Sequence, residues 1–115
     1  MITKEDYFAN FLPEARPWQR DYVAMYSTQW EGYVRDPSLM LIPIDDHMVH
    51  RGDGVFDVIR CTGGKIYQLD AHLKRLERSA GAISLDMPPQ YTRIREIIKD
   101  LVVNGGHREC IIRVT

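Results

Sequence analysis

No apolar run in this 115-residue chain approaches the ~20 residues of a membrane-spanning helix, so none is expected. Charge of one sign is not in excess either. Fifteen Lys and Arg face 16 Asp and Glu, for a net charge of −1, which gives no reason to expect nucleic acid or an anionic membrane as a partner. Cysteine is scarce: Cys61 and Cys110 lie far apart in the chain and both fall inside apparent strands. They read as buried, reduced thiols rather than as a disulfide. The opening Met-Ile-Thr-Lys-Glu-Asp is too acidic and polar for a secretory signal, so a cytoplasmic protein is expected. Internal repeats and low-complexity segments are lacking. What remains is one domain with a modest core.

The chain is organised around His50-Arg51-Gly52-Asp53-Gly54-Val55-Phe56-Asp57-Val58-Ile59-Arg60. A charged turn with two glycines runs straight into an alternating strand. Val55, Asp57 and Ile59 fall on one face, and Phe56, Val58 and Arg60 on the other. Gly63-Gly64 turns the chain into a second short strand, Lys65-Ile66-Tyr67, and a helix begins near Asp70, the natural N-cap. Its stripe is Leu73, Leu76, Ala80 and Ile83, with His72, Arg75 and Ser79 along the neighbouring edge. A turn with freed backbone, a strand aiming Phe56 and Arg60 one way, and a helix bearing Arg75 make a place to hold a small anionic ligand.

Before this unit, Tyr7, Phe8, Phe11 and Leu12 suit a short amphipathic helix ended by Pro13, and Pro13 and Pro17 suit an extended connector. Tyr22 to Tyr26 reads as a strand, Gln29 to Val34 as another extended piece, and Asp36-Pro37-Ser38 as a turn. Leu39 to Ile44 reads as a short buried strand with Pro43 at its end. After Pro88-Pro89, the spacing of Tyr91, Ile94, Ile97, Ile98, Leu101 and Val102 predicts a helix over 90–104, stopped by Gly105-Gly106. Cys110 to Thr115 reads as a strand in which the chain stops, as if it were part of something longer. Hairpins, two helices and a last strand imply an α+β fold with helices on a mainly antiparallel sheet.

Asp45, Asp46, His47 and His50 are the densest set of potential metal ligands, with His47 and His50 at i, i+3. No second Cys/His cluster completes the set, and a polar loop with an Asp-capped turn is the better reading. No metal is expected. Gly52-Asp53-Gly54 is not a dinucleotide fingerprint, since a strand rather than a helix follows and a third glycine is missing. Arg75 suits a phosphate, because its guanidinium fork is planar and always charged. Arg113, inside Ile111-Ile112-Arg113-Val114, becomes a carboxylate clamp if its face lines a cleft.

Taken together, His50 to Asp57, Gly63 to Tyr67, Leu69 to Leu76, Ser79-Ala80 and Pro88 resemble the N-terminal domain of class IV aminotransferases. These are the fold-type IV pyridoxal-phosphate enzymes, among them branched-chain and D-amino acid aminotransferases and aminodeoxychorismate lyases. The resemblance runs from about Leu39 to Thr115. It implies an N-terminal arm over 1–20 and a small α+β domain over 21–115, with a mainly antiparallel sheet and two packed helices. It implies pyridoxal 5′-phosphate held between this domain and a larger C-terminal one, and transamination between an amino acid or amine and a 2-keto acid by a homodimer. By position, Arg75 resembles the arginine that binds the cofactor phosphate. Phe56 resembles the aromatic wall of the substrate pocket, and Arg113 an arginine that handles the substrate carboxylate.

Departures from the family pattern bear on substrate. Arg51 and Ile111 stand where branched-chain enzymes often carry tyrosine, and an extra arginine at 51 favours an acidic or differently oriented substrate. The lysine that bonds the cofactor matches none of Lys4, Lys65, Lys74 and Lys99. The 115 residues alone are therefore expected to be inactive and to expose an apolar face. Elimination releasing pyruvate, as in aminodeoxychorismate lyases, and a non-catalytic binding or oligomerisation module are the alternatives.

Overall fold

The run of alternating residues after Gly54 does form the central strand of the molecule. In a computed structural model, which describes residues 1–11 and 15–115, that strand spans Asp57–Thr62. In chain order, helix α1 (Lys4–Asp6) continues as a π-turn over Tyr7–Phe11. Thr3 caps α1 by accepting from the Asp6 amide at 3.0 Å. The expected end of this helix at Leu12 and Pro13 lies outside the described residues. A 3-10 turn over Pro17–Gln19 takes the place of the extended connector at Pro17, with proline at its first position, where no amide is needed.

Strands β1 (Met25–Ser27) and β2 (Gly32–Val34) form an antiparallel pair in which Tyr26 opposes Tyr33, with ring centroids 5.1 Å apart. Both are shorter and later than the residue types suggest. Glu31, at φ 50°, turns the chain between them. Leu39 to Ile44 is not a buried strand. Asp36 caps a 3-10 turn over Pro37–Leu39, Pro43 has no amide for a ladder, and Leu41, Ile42 and Ile44 are exposed. Helix α2 (His47–His50) is a single turn capped by Asp46, whose carboxylate accepts from the Met48 amide at 2.9 Å.

The second sheet has the order β4-β3-β5 and is antiparallel throughout. It comprises β3 (Asp57–Thr62), β4 (Lys65–Ile66) and β5 (Cys110–Val114). Between β3 and β4 both Gly63 and Gly64 have positive φ, the geometry of the tightest hairpin turns. Gly64→Ala puts a Cβ on left-handed backbone at φ 79° and is expected to destabilise the chain by about 1 kcal/mol in urea denaturation. An unchanged midpoint would show that the turn tolerates a side chain.

Helix α3 (Leu69–Ala82) starts two residues earlier than a cap at Asp70 implies. Gln68 precedes it in left-handed backbone, so Asp70 falls in the first turn. There its charge favours the helix N-terminus and meets Arg95 Nε at 2.8 Å. Leu73, Leu76 and Ala80 are buried as the stripe requires, whereas Ile83, past the last turn, is exposed. A 3-10 turn over Pro89–Arg93 leads into α4 (Ile94–Gly105), which Gly106 ends in left-handed backbone. Ile59, Cys61, Leu73, Ile98 and Ile112 form the core, and each large aliphatic side chain buried there contributes about 1.5–3 kcal/mol. Tyr91 closes it from one side. Its hydroxyl donates to the Leu73 carbonyl at 3.2 Å, and burial, with Glu77 nearby, pushes that phenol up to about 12. The whole is α+β, with α3 and α4 contributing Leu73 and Ile98 to one core shared with the antiparallel sheet.

Candidate active site

Strand alternation gives β3 two opposite faces, and the candidate residues divide between them. Asp57, Ile59 and Cys61 are buried on the helix side, while Val58, Arg60 and Thr62 are exposed. Asp57 is a charged residue at a core position, only 3% exposed, so its carboxylate needs partners. Helix α3 supplies them. His72 and Arg75 sit at i, i+3 and reach the same carboxylate. Arg75 donates from Nε to Oδ2 at 2.7 Å and from Nη2 to Oδ1 at 2.5 Å, a two-pronged pair. His72 Nδ1 lies 2.9 Å from Oδ1. An ionised carboxylate only accepts, so Nδ1 carries the proton. The 3.3 Å approach of Arg75 Nη2 to the same nitrogen is then a contact of two donors and not a bond. Hydrogen bonding from Arg75 outweighs the opposing effect of burial. With help from His72 and the Val58 amide, it holds the Asp57 carboxyl well below the usual carboxylate range.

The arginine itself stays half-exposed, with 58% of its side chain open to solvent. Among the described residues its Nη1 makes no hydrogen bond, so one edge of the guanidinium points outward with its N–H groups free. Asp57 thus anchors one edge of a cationic fork and leaves the other edge for an oxyanion.

On the opposite face Arg113 lies over the Phe56 ring, its guanidinium carbon 4.5 Å from the centroid. Register explains the meeting: Val58 opposes Arg113 and Arg60 opposes Ile111, which sets two arginines and an aromatic ring on one open sheet face. Phe56, Val58 and Ile111 are all exposed there, so the face is apolar between its cations. An open hollow of about 600 Å³ adjoins it at the hairpin, lined by Arg60, Thr62, Lys65, Ile66, Tyr67 and Gln68. Phe56 and Asp57 are consecutive, so the anchored Arg75 and the Phe56–Arg113 pair share one end of the sheet from opposite sides.

The structure therefore brings Phe56 and Arg113 into contact and sets Arg75 at the same strand end. It does not bring in Arg51, which caps the end of α2 by donating its amide to the His47 carbonyl at 2.8 Å and is exposed, its side chain making no hydrogen bond or ion pair among the described residues. His47 and His50 share the short α2, and among the described residues no three His, Cys, Asp or Glu side chains converge as a metal site. Sequence reasoning placed Asp57 and His72 correctly on their faces but gave them no role. The available signal was a carboxylate at an apolar-face position with His and Arg one turn apart on the next helix.

An antiparallel sheet with two helices on one face and an arginine fork held at its strand end defines a small α+β domain. Residues 54–115 match the family described as amino-transferase class IV, and the chain belongs to that family. It is 40% identical over 94 residues to the chloroplastic D-amino-acid transaminase of Arabidopsis thaliana, a match covering 82% of this chain and 25% of that protein. It is 33% identical over 80 residues to the D-alanine aminotransferase of Bacillus licheniformis, covering 70% of this chain and 28% of the relative. A Mycobacterium tuberculosis protein named bifunctional aminodeoxychorismate lyase / D-amino acid transaminase is 35% identical over 69 residues, or 58% of this chain and 24% of the relative. The chain spans about a quarter of the length of these relatives. Among the described residues no helix is long and apolar enough to cross a membrane.

Proposed function

We propose that this chain is the small N-terminal domain, over 21–115 with an arm over 1–20, of a pyridoxal-phosphate-dependent aminotransferase that exchanges an amino group between a D-amino acid and a 2-keto acid. One observation carries the reading: an arginine fork anchored by a buried carboxylate, its outer edge free, at the strand end that also bears Phe56 and Arg113. The donor set fits a phosphate. Arg75 keeps N–H groups to spare, and Asp57 and His72 fix its direction without filling it. The names of the relatives support the D-amino acid.

Arg75 binds the phosphate of pyridoxal phosphate, and Asp57 keeps the guanidinium from swinging away. When bound, the cofactor supplies an electron-withdrawing ring that drains charge from the carbon bearing the amino group. Phe56 walls the substrate side and excludes water, while Arg113, steadied on the Phe56 ring, takes the substrate carboxylate. Arg51 reaches a more distal acidic group of the substrate. Lys4, Lys65, Lys74 and Lys99 are all exposed, and the lysine that bonds the cofactor belongs to a second, larger domain covering the open sheet face. The 115 residues alone turn over no substrate. The working enzyme is a cytoplasmic homodimer.

The test uses the full-length protein. Borohydride reduction with pyridoxal phosphate is expected to leave one pyridoxyl adduct on a single lysine outside residues 1–115. D-alanine with 2-oxoglutarate is expected to yield pyruvate and glutamate. A bound cofactor with no amino transfer from D- or L-amino acids would end the proposal. Arg113→Gln is expected to raise KM for the amino acid roughly tenfold or more with a smaller change in kcat, as loss of a charge-assisted hydrogen bond implies. An unchanged KM would remove Arg113 from the substrate site. The bifunctional relative favours a second reading, elimination. Pyruvate released from aminodeoxychorismate without an amino acceptor identifies it.

A further inference from the structure

The chain contains two cysteines, and folding puts them face to face. Cys61 near the end of β3 opposes Cys110 at the start of β5, the last rung of the β3–β5 ladder. Directly opposed residues of an antiparallel pair project to the same face with Cα atoms about 4.5–5.5 Å apart. A disulfide accepts Cα separations of about 4.4–6.8 Å. Both are free thiols here, Cys61 in the core at 1% exposure and Cys110 half-buried at its margin. The Cys61 thiol donates to the Arg108 carbonyl at 3.7 Å, so both sulfurs sit beside the turn that precedes β5.

We infer that Cys61 and Cys110 are a reversible thiol–disulfide site that a low-molecular-weight disulfide oxidises to a cross-strand bond. The half-buried Cys110 is the entry point. Its thiolate attacks one sulfur of the reagent, the reagent's S–S bond breaks, and one thiolate leaves. The Cys61 thiolate then attacks the Cys110 sulfur, the mixed disulfide breaks, and the second thiolate leaves. Two electrons pass from the cysteine pair to the reagent, and the two cysteine protons end on its two thiols. Burial, with Cys61 adjacent, pushes the Cys110 thiol up, so the reaction is slow at neutral pH and quickens as pH rises. The rung must draw its Cβ atoms from about 4.5–5.5 Å to about 3.8 Å, and the strain makes the bond readily reduced again.

Trypsin, cutting after Arg60, Lys65, Arg108 and Arg113, releases the two cysteines on separate short peptides, 61–65 and 109–113. The folded full-length protein is incubated with glutathione disulfide, quenched in acid, alkylated and digested. The expected product is peptide 61–65 joined to 109–113 with the loss of two hydrogens, absent after dithiothreitol. Cys61→Ser is expected to trap glutathione on Cys110, since no second thiol resolves it. In Cys110→Ser, Cys61 is expected to take up no glutathione because it is buried. Wild-type protein that accumulates glutathione on Cys110 without the joined peptide, or whose thiols both stay alkylatable at equilibrium, overturns the inference without recourse to either variant.

Discussion

Replacing Arg75 with alanine is expected to weaken pyridoxal phosphate binding to the full-length protein by about 10- to 100-fold. A charge-assisted hydrogen bond is worth about 1.5–3 kcal/mol, and each 1.4 kcal/mol is a factor of ten in affinity. Fluorescence titration of the cofactor reads the loss directly. Arg75→Lys is expected to recover only part of it. A lysine has one ammonium and no fork, so it can meet the Asp57 carboxylate or the phosphate but cannot bridge them in a fixed plane. Removing Arg75 also deprives Asp57 of its main partner, so the unfolding midpoint falls as well. The two effects separate when affinity is measured at a temperature where the variant is fully folded. Wild-type affinity in Arg75→Ala under those conditions would take the phosphate away from this residue.

The parts of the fold that were legible in the sequence are those where local pattern and tertiary environment agree. Asp57 to Thr62 alternates, and its inward positions are buried one after another. The Gly63-Gly64 turn needs positive φ twice and carries the one residue type that takes it freely. Leu73, Leu76 and Ala80 follow the helical period and are buried accordingly. Leu39 to Ile44 shows where such reading runs out. Six apolar or proline residues in a row look like a buried strand, but a strand needs a neighbour with free N–H and C=O groups. The sequence says nothing of neighbours. Here Pro37 and Pro43 fix the backbone off the ladder, and Ile44 is 85% exposed.

The candidate site was legible one residue at a time and not as an arrangement. Arg75 and Phe56 were visible as a fork and a wall, but strand alternation alone cannot say that a helix 15 to 18 residues further on returns to the carboxylate between them. That information lies in the crossing of α3 over β3. The same holds for Cys61 and Cys110, which are remote in the chain and adjacent in the sheet because β5 takes its place beside β3 only after both helices have been laid down.

The Asp57 carboxylate ties strand to helix, and its titration gives the last prediction. Asp57→Asn keeps the shape but loses the charge and turns an N–H group toward Arg75 or His72. At pH 7 this is expected to cost about 2–3 kcal/mol, from hydrogen bonds to a charged group discounted for the exposure of Arg75. The pH dependence has a fixed sign. The folded-state carboxyl titrates well below its unfolded value, so its contribution is fully present above about pH 4, the ordinary carboxylate value. It is lost as pH falls through the depressed folded-state value. The stability difference between wild type and Asp57→Asn should therefore be present at about pH 5 and shrink in more acidic solution. Urea denaturation at a series of pH values measures it. A difference that stays constant down to pH 2 would mean that Asp57 stabilises the fold by packing and not by its charge, and the anchoring of Arg75 would need another origin.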